Sequence, residues 1–138
     1  MKLYANRTST KLMNIPSGSP VTVTTNGTAY RALPAQSDQE PDDLPEFKFV
    51  TSLTFSGGAT SPTAQLVIQG SVEGTTWIDL VSGTSRTSDG TYVEALDSTS
   101  VGLLPWTRAR LVLAGGTAPS VYASVEIVST ASFQLSTS

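Results

Sequence analysis

An all-β fold, an antiparallel β-sandwich of about eight strands, is predicted by three features of this 138-residue chain. The first is apolar alternation with a period of two, which places successive side chains on opposite faces of a strand. The second is composition: 19 Ser and 20 Thr make up more than a quarter of the residues. Together with abundant Val, the β-branched Thr suits a half-buried pleated surface. The third is the frequency of Gly, Pro and Ser/Thr breaks, which leaves no pattern long enough for a helix. Short strands with closely spaced turns indicate a jelly-roll-like sandwich. An Ig-like sandwich is the alternative, without the Cys-Trp-Cys hallmark of antibody-type domains.

Taken in order, residues 1–19 hold Pro16 and Gly18 with no clear period and read as an extended N-terminal arm. The sandwich domain follows over 20–130, and 131–138 form a C-terminal tail. Strand-like runs at 20–25 and 28–33 flank Asn26-Gly27, a pairing that signals a type I′ hairpin. Residues 36–46 form an acidic, proline-containing loop. Asp38, Glu40, Asp42, Asp43 and Glu46 lie there with Pro41 and Pro45, and they are five of the eleven acids in nine residues. The alternation then becomes clear. Phe47, Phe49, Thr51, Leu53 and Phe55 share one strand face, and Ala64, Leu66, Ile68 and Val72 share another. Shorter strands are expected at 77–81 and 91–96. Thr107, Ala109, Leu111 and Leu113 alternate with Arg108 and Arg110, and Val121, Ala123, Val125 and Ile127 complete the set. Two stretches echo each other as strand, Gly-Gly, proline, strand: Leu53 through Gly57-Gly58 and Pro62, and Leu111 through Gly115-Gly116 and Pro119. Reused hairpin chemistry and internal duplication both account for this.

The chain has no Cys and no His. That removes thiol nucleophiles, Cys/His zinc sites, disulfides and imidazole bases. Charged residues are only 14% and the net charge is −3, so no concentrated basic face for nucleic acid is expected. No apolar stretch has the length to cross a bilayer. The opening residues 1–7 lack a signal-peptide core. Asp42 and Asp43 sit in the acidic loop, whose spacing matches no calcium loop; Glu73 and Asp79 flank a turn at Gly74. A Ser-Lys dyad would need Lys2, Lys11 or Lys48, which lie near the amino end or on an outer strand face. No catalytic residue, cofactor or metal ligand is assigned, and an enzyme is not expected. Two groups remain. Trp77 and Trp106 are the candidates for stacking under a sugar ring. Lys2, Arg7 and Lys11 lie in a stretch, 1–37, without a single carboxylate, and are the candidates for meeting an acidic partner.

Residues 67–80, VIQGSVEGTTWIDL, resemble a strand-turn-strand signature of discoidin-like sugar-binding domains and of tailed-bacteriophage structural proteins. Residues 107–120, TRARLVLAGGTAPS, resemble the hairpin that often follows it in phage head and tail proteins. The resemblance implies a capsid decoration (cement) protein. Such proteins are homo-oligomers, often trimers, bound to the major capsid protein on the virion exterior after synthesis in the host cytoplasm. The alternatives are a carbohydrate-binding β-sandwich module or a minor tail or fibre component. Neither nucleic acid nor membrane is an expected partner. The resemblance carries no functional residues and does not reach the region before residue 46.

Overall fold

Strand pairings in this chain are nested, and the nesting determines the architecture. In the computed structural model, residues 8–16, 18–33, 47–55, 62–95, 104–115, 120–129 and 134–136 are described. The strands are β1 (Thr8–Ile15), β2 (Thr25–Asn26), β3 (Tyr30–Leu33), β4 (Phe47–Phe55), β5 (Thr63–Ser71), β6 (Ile78–Ser82), β7 (Gly90–Ala95), β8 (Trp106–Ala114), β9 (Val121–Ser129) and β10 (Gln134–Ser136). From outside in, β1 pairs with β9, β2 and β3 with β8, β4 with β7 and β5 with β6, all antiparallel. Folding that ribbon over brings β9 beside β4 and β8 beside β5. One sheet therefore runs β1-β9-β4-β7 and the other β10-β3-β8-β5-β6, with β2 also on β8. This is the jelly-roll order. It differs from the ABED and CFG sheets of the Ig-like alternative.

The alternation read from the sequence supplies the core. Phe49, Leu53, Val121, Ala123, Val125 and Ile127 from one sheet meet Ala64, Leu66, Ile68, Ala109 and Leu111 from the other, all buried. Val72 departs from its expected place. It is 68% exposed because β5 ends at Ser71 and Val72 already belongs to the turn. Thr51 and Thr107 are buried among these apolar groups. The Thr51 hydroxyl has no hydrogen-bond partner, a loss of hydration that nothing repays. Thr51→Val keeps the shape and removes the orphan. Its urea midpoint is expected to match or exceed the parent's, by up to about 1 kcal/mol in stability.

Four expectations need correction. Residues 8–15 do not stand off as an arm: they are an edge strand of the first sheet, with Leu12, Met13 and Ile15 buried. The register with β9 shifts between Lys11 and Met13, so Leu12 is a bulge residue and both it and Met13 face inward. Asn26-Gly27 is no hairpin turn. Thr25, Asn26, Tyr30 and Arg31 all run along β8, and the Gly27 N–H donates to the Ala109 carbonyl at 2.7 Å. The register shifts by one residue before Tyr30, and Gly27 still holds the first register against Ala109, so Asn26-Gly27 runs along β8 and the extra residue falls at 28–29. The strands flanking the two Gly-Gly stretches belong to opposite sheets, so those stretches join sheets rather than forming hairpins. Finally, the tail contributes β10, paired with β3. The loop at 36–46, with Lys2 and Arg7, lies outside the described residues.

One open side of the sandwich is closed by the chain between β6 and β7. Arg86 exchanges backbone hydrogen bonds with Ala64 at 2.9 and 2.7 Å. Its guanidinium pairs with Glu94 at 3.0 Å and lies 4.2 Å from the centre of the Tyr92 ring. Glu94 also accepts the Thr84 N–H at 3.3 Å. Cation, aromatic face and carboxylate thereby meet where the two sheets separate, with Arg86 Nε itself buried and without an acceptor.

Candidate binding face

The β5–β6 hairpin, expected around Gly74, folds over the outer face of its own sheet. Ser71 Oγ accepts the Gly74 N–H at 2.8 Å, and Gly74 sits at φ 90, which favours glycine. Glu73 accepts the Thr76 N–H at 2.7 Å and the Thr75 hydroxyl at 3.3 Å. The Thr76 hydrogen bonds hold the Glu73 carboxyl below the usual carboxylate range. The Trp106 indole lies against this turn: a Cβ added at Gly74 would stand 3.3 Å from its ring atoms. Trp106 is thus a half-buried wedge between turn and sheet.

Trp77 lies at the same end. The Arg108 guanidinium rests 4.2 Å from its ring centre. Arg108 Nε donates to Gln69 Oε1 at 2.8 Å, and Gln69 Nε2 donates to Asp79 Oδ1 at 2.9 Å. The outer side of the sheet thus carries an ordered relay, Trp77–Arg108–Gln69–Asp79, across β8, β5 and β6. Gln69 is 6% exposed although it faces away from the core, because the arginines and the hairpin cover it. Burial, and then the charge of Arg110, lower the pKa of Arg108; it stays a cation at neutral pH. Arg110 Nε is buried with no acceptor.

The expected site residues therefore fall apart into separate places. Trp77 and Trp106 are brought to one end of one face, each engaged by its own neighbours. Lys11 is exposed on β1, in register with Glu126 of β9, and it lines a groove of about 380 Å³ between β1 and the β2–β3 segment. Glu73 and Asp79 do not converge: one stabilises a turn, the other anchors Gln69. Among the described residues no group of three or more Asp or Glu could hold a metal ion. Sequence reasoning missed Arg108, Arg110 and Gln69 as a unit. The available signal was Arg-Ala-Arg on a strand, which puts two cations on one face.

The outer face of the first sheet is different in kind. Across it run Asn14, Ser124, Ser52 and Thr91 in one row, and Lys11, Glu126, Val50 and Val93 in the next. Ser52 and Thr91 hydroxyls meet at 3.2 Å, and Val93 is 56% exposed. This is a hydroxyl-rich, weakly charged surface. No family model, curated protein or solved structure matches the chain.

Proposed function

We propose that the protein is a structural virion component, a capsid decoration protein that binds the outer shell and its own copies. The reading is carried by the outer face of β1-β9-β4-β7, a surface of short hydroxyl and β-branched side chains with few charges. Such a surface suits repeated shallow contact with protein. Many weak contacts of this kind stabilise a shell through multivalency. The phage-like segments at 67–80 and 107–120 add to it, since β5 and β8 pair along nine residues and bring the two stretches side by side. Jelly rolls occur in capsid and lectin domains alike, so the fold alone does not choose between them. The carbohydrate reading has less support, because Arg108 already occupies one face of Trp77 and Trp106 is applied to Gly74.

Mixing the purified chain with preformed phage shells tests this. Co-sedimentation and a higher shell melting temperature are the expected results; no attachment would remove the reading. Removing residues 1–7, which precede β1, is expected to weaken attachment about tenfold through loss of Lys2 and Arg7, with domain melting unchanged. Removing 1–19 is a poor test of the same idea, because it also strips Leu12, Met13 and Ile15 from the core.

A further inference from the structure

Asn26-Gly27 is the single Asn-Gly pair of the sequence; the other asparagines precede Arg7 and Ile15. With no Cβ on the following residue, the Gly27 amide nitrogen can approach the Asn26 side-chain carbonyl. Hydroxide takes the Gly27 N–H proton, a bond forms from that nitrogen to Asn26 Cγ, and the side-chain amide leaves as ammonia. Water then opens the cyclic imide at either carbonyl, giving aspartate or isoaspartate. The fold opposes the first step. Thr25 and Asn26 pair with Leu111 and Arg110 of β8, and the Gly27 N–H donates to the Ala109 carbonyl at 2.7 Å. A strand side chain stands off the sheet while the next amide lies in its plane, so nucleophile and carbonyl are held apart. The ring therefore closes when residues 25–27 come off β8. β2 is only two residues long, and so short a pairing opens at a fraction of the free energy of global unfolding.

We propose that Asn26-Gly27 is a site of spontaneous covalent modification gated by the opening of β2, and that the fold accepts one product and refuses the other. Asn26 is exposed and directly opposite Arg110, so the two side chains are neighbours on one face of the sheet. Arg110 Nε is buried without an acceptor. Aspartate at position 26 leaves the main chain unchanged and sets a carboxylate beside that guanidinium, so β2 pairs again and gains an ionic contact with β8. Isoaspartate carries the main chain through the side-chain carbon and lengthens it by a methylene between residue 26 and Gly27. The Gly27 N–H then no longer meets the Ala109 carbonyl. The site has no slack to absorb the extra atom. A Cβ at Gly27 would already lie 3.1 Å from the Ala109 oxygen, 3.2 Å from the Leu12 oxygen and 3.2 Å from Met13 Cε. The isoaspartyl chain keeps β2 off β8 while the long central strands stay paired. None of this depends on shell attachment.

Incubating the full chain in mildly alkaline buffer, folded and in urea, tests the proposal. Mass spectrometry of the tryptic peptide 12–31 follows the amide-to-acid conversion, and Asn14 in the same peptide is the internal control. Conversion at Asn26 is expected in both conditions, about tenfold or more slower in the folded chain, by the fraction of time that β2 is open. The Asn26→Asp variant should fold with a urea midpoint at or above the parent's. Its advantage should shrink as salt is raised and vanish in an Arg110→Gln background. Chain enriched in isoaspartate and returned from urea should exchange the Gly27 amide rapidly, with β4 and β5 amides still protected. Equal conversion rates in the folded and unfolded chain, or no conversion in the folded chain, would overturn the gating. An Asn26→Asp midpoint below the parent's, or a Gly27 amide as protected in the isoaspartyl form as in the parent, would overturn the discrimination between products.

Discussion

Leu12→Ala is expected to lower the unfolding free energy by about 2–5 kcal/mol, the usual cost of emptying a fully buried leucine site. Leu12 is 1% exposed and packs in the same cluster as Val125 and Ile127. Urea unfolding with an unchanged m-value would measure the loss. The outcome discriminates between two pictures of the amino-terminal region. On a detached arm the same substitution would stay within about 0.5 kcal/mol. A near-neutral result would therefore mean that β1 does not contribute to the domain in solution. The neighbouring Lys11→Ala supplies the contrast, because Lys11 is exposed and its replacement should leave the midpoint nearly in place.

Gly83→Val should be comparably damaging, for a steric reason. A Cβ at Gly83 would lie 2.9 Å from the Leu66 carbonyl oxygen and 2.9 Å from Glu94 Oε1. The first neighbour is backbone and cannot swing aside, since Gly83 N–H donates to that same carbonyl at 2.8 Å. The second is the carboxylate that binds Arg86. A side chain here must part the strands or expel Glu94, and the latter leaves the Arg86 cation against Tyr92 with its counter-ion gone. A loss of about 1–3 kcal/mol is expected from overpacking, with more if the ion pair opens. Gly18→Ala is the control: nothing lies within 4 Å of its added Cβ, so the midpoint should move by under about 0.5 kcal/mol. Equal effects at both glycines would refute the steric account.

The legible part of the fold was its centre. β4, β5, β8 and β9 are the long strands flanked on both sides, and each is nine residues. Their inward residues must fill a gap between two sheets while the outward ones meet polar surroundings, so strict alternation is imposed on the chain. The bulges are where reading by period fails. Leu12 and Met13 both turn inward at one, and the β5–β6 register slips beside Gln69 at another, where Leu80 and Val81 are the packed pair. A one-residue insertion reverses the alternation on either side of it. An eye tuned to period two then sees an arm or a short strand instead of an edge. Asn26-Gly27 misled for a different reason: a pair that suits a tight turn can also lie along a neighbouring strand, as it does here against Arg110 and Ala109, and only β8 alongside decides which forms.

The candidate face divides in the same way. Trp77 and Trp106 stood out by residue type, and Arg108 and Arg110 by their spacing. What the sequence by itself determined was the class of the molecule: an all-β sandwich of low charge, built from alternating strands, without thiol or imidazole chemistry. Those properties follow from composition and local periodicity, which each residue carries whatever its neighbours in space. The tertiary structure alone decided that the first and last regions pair into the sheets and that the strands nest as a jelly roll. It also decided that Arg108 lies on Trp77 rather than on a carboxylate. These facts depend on contacts between residues far apart in the chain, such as Gln69 with Arg108 or Leu12 with the β9 side chains. Long-range pairing has no local signature, because it is chosen by the summed burial and register of whole strands.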